Sequence, residues 1–317
     1  MQTVERNTME AVRSGTTVAA AGLVAMTEDE YARSQAQLGE TVVRAGGCFW
    51  RKVAPLFYRP LLPFQELEVQ PARWPWLGRL GGVQHAVRGC ERANSWLNHL
   101  VFENARAYSL NQLDGRQRRE VVRAVNTFTV ARIATAADLK EWGHPVYLSF
   151  YERTRYEYRA DRQDPAVFER WVEALFRSPK TLVLGVYHQQ RLRAVSIAYL
   201  VESTLIYATF FCDTESMRLG APAYMLHVVR EIAVANPSVR QVFVGNYRDD
   251  GGAGVAQFYL NRGCRLVRRP AHLAVNPVAR LVLSWYLPKQ HRRLVGVLAG
   301  DPPELPCGRM AMQSARS

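Results

Sequence analysis

The sequence predicts an α/β fold in which a mostly antiparallel sheet is flanked by helices, with an N-terminal α/β extension. Two observations lead there. Between residues 181 and 211, three runs alternate in hydrophobicity with period two and are separated by short turns, the pattern of an antiparallel meander. Around that meander lie segments whose apolar residues recur at spacings of three and four, the period of helices with one buried face.

The chain has 317 residues, 41 Lys plus Arg against 28 Asp plus Glu, and is 48% hydrophobic. These values suit one large core or two small ones and exclude collagen, wholesale disorder and a disulfide scaffold. The five cysteines, Cys48, Cys90, Cys212, Cys264 and Cys307, stand far apart with no C-x-x-C and no zinc-ligand spacing, so no metal is expected and a reducing compartment fits. The apolar stretch 18–26 is about half the ~20 residues a membrane helix needs. Before it, Arg6 and Arg13 are offset by Glu5 and Glu10, so there is no basic leader region, and a cytoplasmic location is expected. The net charge of +13 is nearly all arginine, the lysines being Lys52, Lys140, Lys180 and Lys289. It favours anionic partners without choosing among cofactor phosphates, nucleic acid and a lipid surface.

Residues 1–45 are rich in Thr, Ala, Ser and Glu without a sustained period, and are expected to form a mobile tail. Residues 46–107 form an extension or partner lobe, where aromatics and prolines suit short elements joined by turns. Strands are expected at 100–102 and 107–110, then a helix over 115–125 capped by Asp114, then a β-branched strand over 127–133. Helices follow over 137–153 and 166–176, the second presenting Phe168, Val172, Leu175 and Phe176 on one face. The meander strands are 181–187, 192–201 and 204–211. Gly220-Ala221-Pro222 then opens a helix that Asn236-Pro237 stops, with Met225, Leu226, Val229, Ile232 and Ala233 as its buried stripe. A strand over 241–245, a glycine-rich loop, a helix over 255–261 and a strand over 265–268 complete the series, and 276–317 reads as a helical segment and tail.

The order strand, two helices, three strands, helix, strand, helix, strand, with Phe258-Tyr259-Leu260-Asn261-Arg262-Gly263-Cys264 near its end, resembles the GNAT acyltransferase fold. Arg118-Arg119 and Arg123-Ala124 on a helix, the strand Thr129-Val130-Ala131-Arg132, and Tyr147-Leu148-Ser149-Phe150-Tyr151-Glu152-Arg153-Thr154 resemble the FemAB-type, peptidoglycan-peptide transferase branch of that superfamily. The resemblance spans residues 108–275, which makes that range the expected transferase domain. It implies a GNAT-like mixed, mostly antiparallel sheet. It also implies N-acyl or aminoacyl transfer from acyl-CoA, or another activated donor, to an acceptor amine by direct attack. Cell-envelope or polysaccharide synthesis would supply the acceptor, and a peripheral membrane contact is compatible with it.

Site residues follow from the same resemblance. The pyrophosphate of acyl-CoA would sit at the helix N-terminus behind the loop Met217-Arg218-Leu219-Gly220-Ala221-Pro222, Asn246 would face the pantetheine arm, and Tyr259 would protonate the leaving thiolate. A phenol of pKa about 10 suits that last task. The loop departs from the family pattern: Met217 replaces a basic residue, Pro222 removes an N–H, and Asp213 and Glu215 would repel phosphate. An amine acceptor also needs a base, and Asp213, Glu215, Asp249 and Asp250 stand at strand ends, with Asp250 taken forward as the candidate. His227 shares a helix face with Arg230 and Glu231 and reads as solvated and paired. Arg116, Arg119 and Arg123 share one face of their helix, either as a solvated surface or as an electropositive rim for a phosphate-bearing ligand. Gly251-Gly252-Ala253-Gly254 lacks dinucleotide-binding spacing. Two alternatives remain: an inactive binding module on the same fold, which the altered loop favours, and a nucleic-acid binder, which only the charge favours and for which no motif is found.

Overall fold

Thr27 and Glu30 form a reciprocal capping box, so helix formation begins well inside the stretch expected to be a tail. The computed structural model describes residues 22–155, 159–247 and 253–298. In chain order its main elements are β1 (Ala25–Met26), α1 (Glu28–Gln37), β2 (Val42–Ala45), β3 (Cys48–Ala54), β4 (Phe57–Pro60), α2 (Trp76–Leu80), β5 (Gly82–Ala86) and β6 (Ser95–Phe102). There follow α3 (Gly115–Thr127), β7 (Thr129–Arg132), α4 (Ala136–Thr154), α5 (Pro165–Phe176), β8 (Leu182–His188), β9 (Arg191–Val201), β10 (Thr204–Cys212) and α6 (Thr214–Arg218). The last are α7 (Ala221–Ala235), β11 (Gln241–Asn246), α8 (Ala253–Leu260), β12 (Arg265–Val275), α9 (Pro277–Tyr286) and α10 (Pro288–Val295).

These elements divide into two compact units that interleave along the chain. The first holds the described residues up to Leu38 together with Val101–Gly245 and Asn261–Cys264; the second holds Gly39–Leu100, Asn246–Leu260 and the described residues from Arg265 onward. The expected contiguous division at 46–107, 108–275 and 276–317 is therefore corrected. Strand pairing is the reason: β12 runs to Val275 instead of stopping near 268, and it pairs antiparallel with β5, which draws the C-terminal part of the chain into the unit built by residues 39–100.

In the first unit β7, β8, β9 and β10 form a continuous antiparallel run, β11 joins β10 in parallel, and β1 pairs with the end of β9 in parallel. Gln189 and Gln190 make the β8–β9 turn and Glu202 the β9–β10 turn, all three with positive φ. Helix α5 starts where Asp164 accepts hydrogen bonds from Ala166 and Val167, and α3 starts where Asp114 accepts from Arg116 and Gln117. The rings of Tyr147, Phe168, Trp171 and Phe211 interlock across α4, α5 and β10. The stripe Met225, Leu226, Val229, Ile232 and Ala233 of α7 is buried, each position at 2% exposure or less. Full burial of such side chains stabilises by about 1.5–3 kcal/mol apiece.

The tail expected over 1–45 is corrected for the described residues 22–45, which form β1, α1 and β2. The Tyr31 ring packs edge-on against Tyr199 at 5.4 Å, and Lys180 reaches Glu30 at 2.7 Å. Residues 107–110 form no strand; two short 3-10 turns, Ala105–Ala107 and Leu110–Gln112, stand there, the second capped by Ser109. In the second unit β2, β3 and β4 are antiparallel, β4 and β5 run parallel, and the core gathers Cys48, Trp50, Tyr58, Trp74 and Val83.

Candidate active site

The first unit opens between β10 and β11. These strands are paired over Thr204–Ile206 and Gln241–Phe243, and beyond those pairs both run on, to Cys212 and Asn246. A register shift between Tyr207 and Thr209 in the β9–β10 ladder marks a bulge at the same level, leaving Ala208 exposed. On the facing strand Gly245 has φ +131°, and a Cβ there would meet nothing within 4 Å. A bulge that diverts one strand and open room beside the other create a backbone-lined gap, the kind of place where unpaired N–H groups can meet a substrate carbonyl.

The far end of β10 is held from two sides. The Arg153 guanidinium, on the last turn of α4, donates to the Cys212 carbonyl at 3.1 Å and to Thr214 Oγ1 at 3.2 Å, while Ser149 Oγ accepts from the Thr214 N–H at 3.3 Å. On the other side Arg193 pairs with Asp213 at 3.2 Å and with Glu215 at 3.3 Å, and Asp213 also caps α6 through the Ser216 N–H. Arg193 thus has two carboxylates. Half-buried Arg153 meets no carboxylate at ion-pair distance among the described residues and is held by the Cys212 carbonyl and Thr214. Burial pushes the Cys212 thiol up to about 11, so it stands as a protonated packing group and not as a nucleophile.

A second polar cluster lies where α7 packs along α3. Tyr108 Oη and His227 Nδ1 are 2.8 Å apart, and the Arg230 guanidinium lies 3.6 Å from the Tyr108 ring centroid and 4.2 Å from that of Phe102. Arg230 donates to the Arg262 carbonyl at 2.8 Å, and Arg262 in turn reaches Glu120 at 2.6 Å. Burial holds His227 down at about 4, with Arg230 adding to the effect, and raises Tyr108 to about 12. His227 is therefore half-buried and pairs with Tyr108 instead of lying on a solvated face with Arg230 and Glu231: the turn at 105–108, which the sequence does not reveal, brings Tyr108 to it.

No protein-family model matches the chain, and no curated protein matches it in sequence. Solved structures do match in shape. FemX superposes with a TM-score of 0.54 at 11% identity, over 86% of this chain and 98% of FemX. L-PGS from Bacillus licheniformis gives 0.51 at 10% identity, over 86% and 98% of the two chains. The C-terminal domain of a protein described as a lysylphosphatidylglycerol synthetase from Agrobacterium fabrum gives 0.52 at 11%, over 91% and 100%. The chain has the GNAT-type, FemAB-like fold.

The structure places the expected site residues on several elements. Arg218 and Leu219 are exposed, whereas Gly220 is buried at φ +92° and Ala221 is fully buried. The direction of a Cβ at Gly220 is filled by Ala124 at 3.4 Å and by Glu120 at 3.5 Å, both from α3. Pro222 removes one N–H donor from the start of α7, and the Glu120 carboxylate beside the turn is paired with Arg262. Asn246 is exposed at the end of β11. Tyr259 is half-buried on α8 in the second unit, its ring edge-on to Phe258 at 5.3 Å. Arg116, Arg119 and Arg123 all lie on the exposed face of α3, opposite buried Gln117, Val121 and Ala124. Asp249 and Asp250 lie outside the described residues. Asp213 is committed to Arg193 and to its cap, and Glu215 is a second partner of Arg193. Sequence reading missed Ser149 and Arg153 as site residues. The signal available was a polar pair four residues apart on a helix whose neighbouring positions, Tyr147 and Phe150, are aromatic.

Proposed function

We propose that the protein is an acyl- or aminoacyl-transferase that moves an acyl group from an activated ester or thioester to an acceptor amine. The parting of β10 and β11, with its bulge at Ala208 and open room at Gly245, carries this reading. The fold supports it, since proteins named for making lysylphosphatidylglycerol and FemX share it. In the reaction the amine nitrogen attacks the acyl carbonyl carbon, negative charge gathers on the carbonyl oxygen, and the bond to the leaving oxygen or sulfur breaks. The ammonium proton passes to a base or water, and the leaving group takes a proton. Backbone N–H groups of β10 and β11 beyond their paired stretch are the donors proposed for the oxyanion, with Arg153 at the end of β10 as a nearby cation. Tyr259, in the second unit, is proposed as a proton donor to the leaving group on the resemblance of its Phe-Tyr, three-residue, Gly setting alone.

With Pro222 removing an N–H donor from the Gly220 turn, the donor we favour is an aminoacyl or acyl ester whose phosphates bind elsewhere, such as a charged tRNA. The exposed arginines of α3 supply a surface for it. Acceptors from the cell envelope are the proposed class. The test measures the denaturation midpoint with acetyl-CoA, longer acyl-CoAs, free CoA and aminoacyl-tRNA, alongside transfer of a labelled acyl group to a panel of amines. A donor that binds the folded state raises the midpoint. Stabilisation by aminoacyl-tRNA with label transfer is expected. Stabilisation by CoA thioesters alone would overturn the donor assignment, and binding without transfer to any amine would leave a binding module.

A further inference from the structure

We propose that one edge of the second unit, built by α9, α10, α2 and the β3–β4 turn, docks on an anionic lipid surface. Helix α9 is apolar yet uncovered: Val278, Leu281 and Trp285 recur at helical spacing with 71%, 57% and 75% of their surfaces exposed, and Tyr286 beside them is 78% exposed. Helix α10 is no loose appendage. Buried Gln84 donates to the Leu294 carbonyl at 2.6 Å, and Asn98 donates to the Gly296 carbonyl at 3.0 Å, so the end of α10 is fastened within its own unit.

The apolar surface continues beyond α9. The Asn276 N–H, at the start of α9, bonds the Gly81 carbonyl at 2.8 Å, and the Gly82 N–H bonds the Leu56 carbonyl at 3.1 Å. The end of α2 and the β3–β4 turn therefore border the base of α9. They add Trp76, Leu80, Val53 and Leu56, exposed by 68%, 55%, 41% and 41%.

Charge selects the occupant. The elements that build this edge, residues 52–56, 76–80 and 277–295, contain no Asp or Glu, and of the acids in the intervening sequence Glu66 faces Arg88 and Arg269. Exposed Lys52, Arg79, Arg280, Lys289 and Arg292 lie within them. Tryptophan and tyrosine beside exposed aliphatics, ringed by lysine and arginine without a compensating acid, match the headgroup boundary of an anionic bilayer. There the aromatic rings settle between chains and headgroups while the cations face lipid phosphates. A second copy of this chain would bring the same positive charge against itself, which disfavours self-association through this edge.

The proposal concerns binding alone and stands apart from the transfer chemistry, so its test uses no acyl donor. The full chain is sedimented with vesicles of equimolar phosphatidylglycerol and phosphatidylcholine, and with phosphatidylcholine alone. Binding is expected to the anionic vesicles, weakening as salt is raised. Leu281→Ser with Trp285→Ala, both at exposed positions and checked for an unchanged thermal midpoint, is expected to weaken it by roughly tenfold. Arg280→Gln with Lys289→Gln and Arg292→Gln is expected to weaken it and flatten its salt dependence. No sedimentation with anionic vesicles, or binding untouched by either set of changes, overturns the proposal. So does a dimer in solution that Trp285→Ala dissociates, which would assign the face to a second copy.

Discussion

Helices α7 and α9 are alike in sequence and opposite in setting. Both have a proline in their first turn, and both repeat aliphatic residues at spacings of three and four. In α7, Met225, Val229 and Ile232 are at most 2% exposed, between the sheet of the first unit and α3. In α9, Val278, Leu281 and Trp285 are more than half exposed. Apolar periodicity says that a helix face requires cover. It does not say whether the same chain provides it. Helix α8 stands between the two cases, with Tyr259 half-buried.

The largest expected difference is in stability. Ile232→Ala leaves a cavity in a packed core and is expected to cost about 2–5 kcal/mol in urea denaturation. Trp285→Ala is expected to stay within about 0.5 kcal/mol. A comparable loss for Trp285→Ala would show that α9 is covered in solution and would break the comparison.

For α8 the same logic separates chemistry from packing. Tyr259→Phe keeps the ring, so if the hydroxyl donates the leaving-group proton, turnover should fall by roughly 10²-fold with donor affinity unchanged. Unaltered turnover, together with a destabilised Tyr259→Ala, would reduce Tyr259 to a packing residue.

A smaller effect arises from the histidines that burial keeps neutral. His227, on α7, is lowered from 6.5 to about 4, and His99, in the second unit, from 6.5 to about 3. In that window the unfolded chain binds more protons than the folded one. The stability that comes from keeping these rings neutral is therefore fully present above 6.5 and lost as the pH falls toward 4. Replacing His227 with Gln should make the midpoint less sensitive to pH between those values, and an unchanged pH profile would place His227 in contact with water. The smallest expected change is at α3. Arg116→Gln, Arg119→Gln and Arg123→Gln together should move stability by less than about 0.5 kcal/mol while weakening tRNA binding and lowering its salt dependence. Unchanged affinity would leave these arginines as a solvated face.

Much of the first unit was legible in the residues. The meander over 181–211, the Asp114 cap, the Gly220 start and the stripe of α7 all follow from local periodicity and turn chemistry, and local structure obeys them. The helix at 28–37 was not legible, because its polar composition hid the Thr-x-x-Glu capping box of Thr27 and Glu30. The site was less legible, because its parts meet only through long-range contacts.

By itself, the sequence determined the order of the main strands and helices over 115–268, the positive charge, and which helix faces are apolar, since each depends on neighbours within a few positions. Only the tertiary structure decided that Gly220 lies under Glu120 and Ala124, that Arg153 clamps the end of β10, that Tyr108 covers His227, and that β12 belongs with β5. Those outcomes depend on which surfaces meet across tens to hundreds of residues, and apolar packing is non-directional, so no local pattern encodes the partner. The same reason leaves α9 uncovered: its sequence demands a partner surface that the described residues of its own chain do not provide.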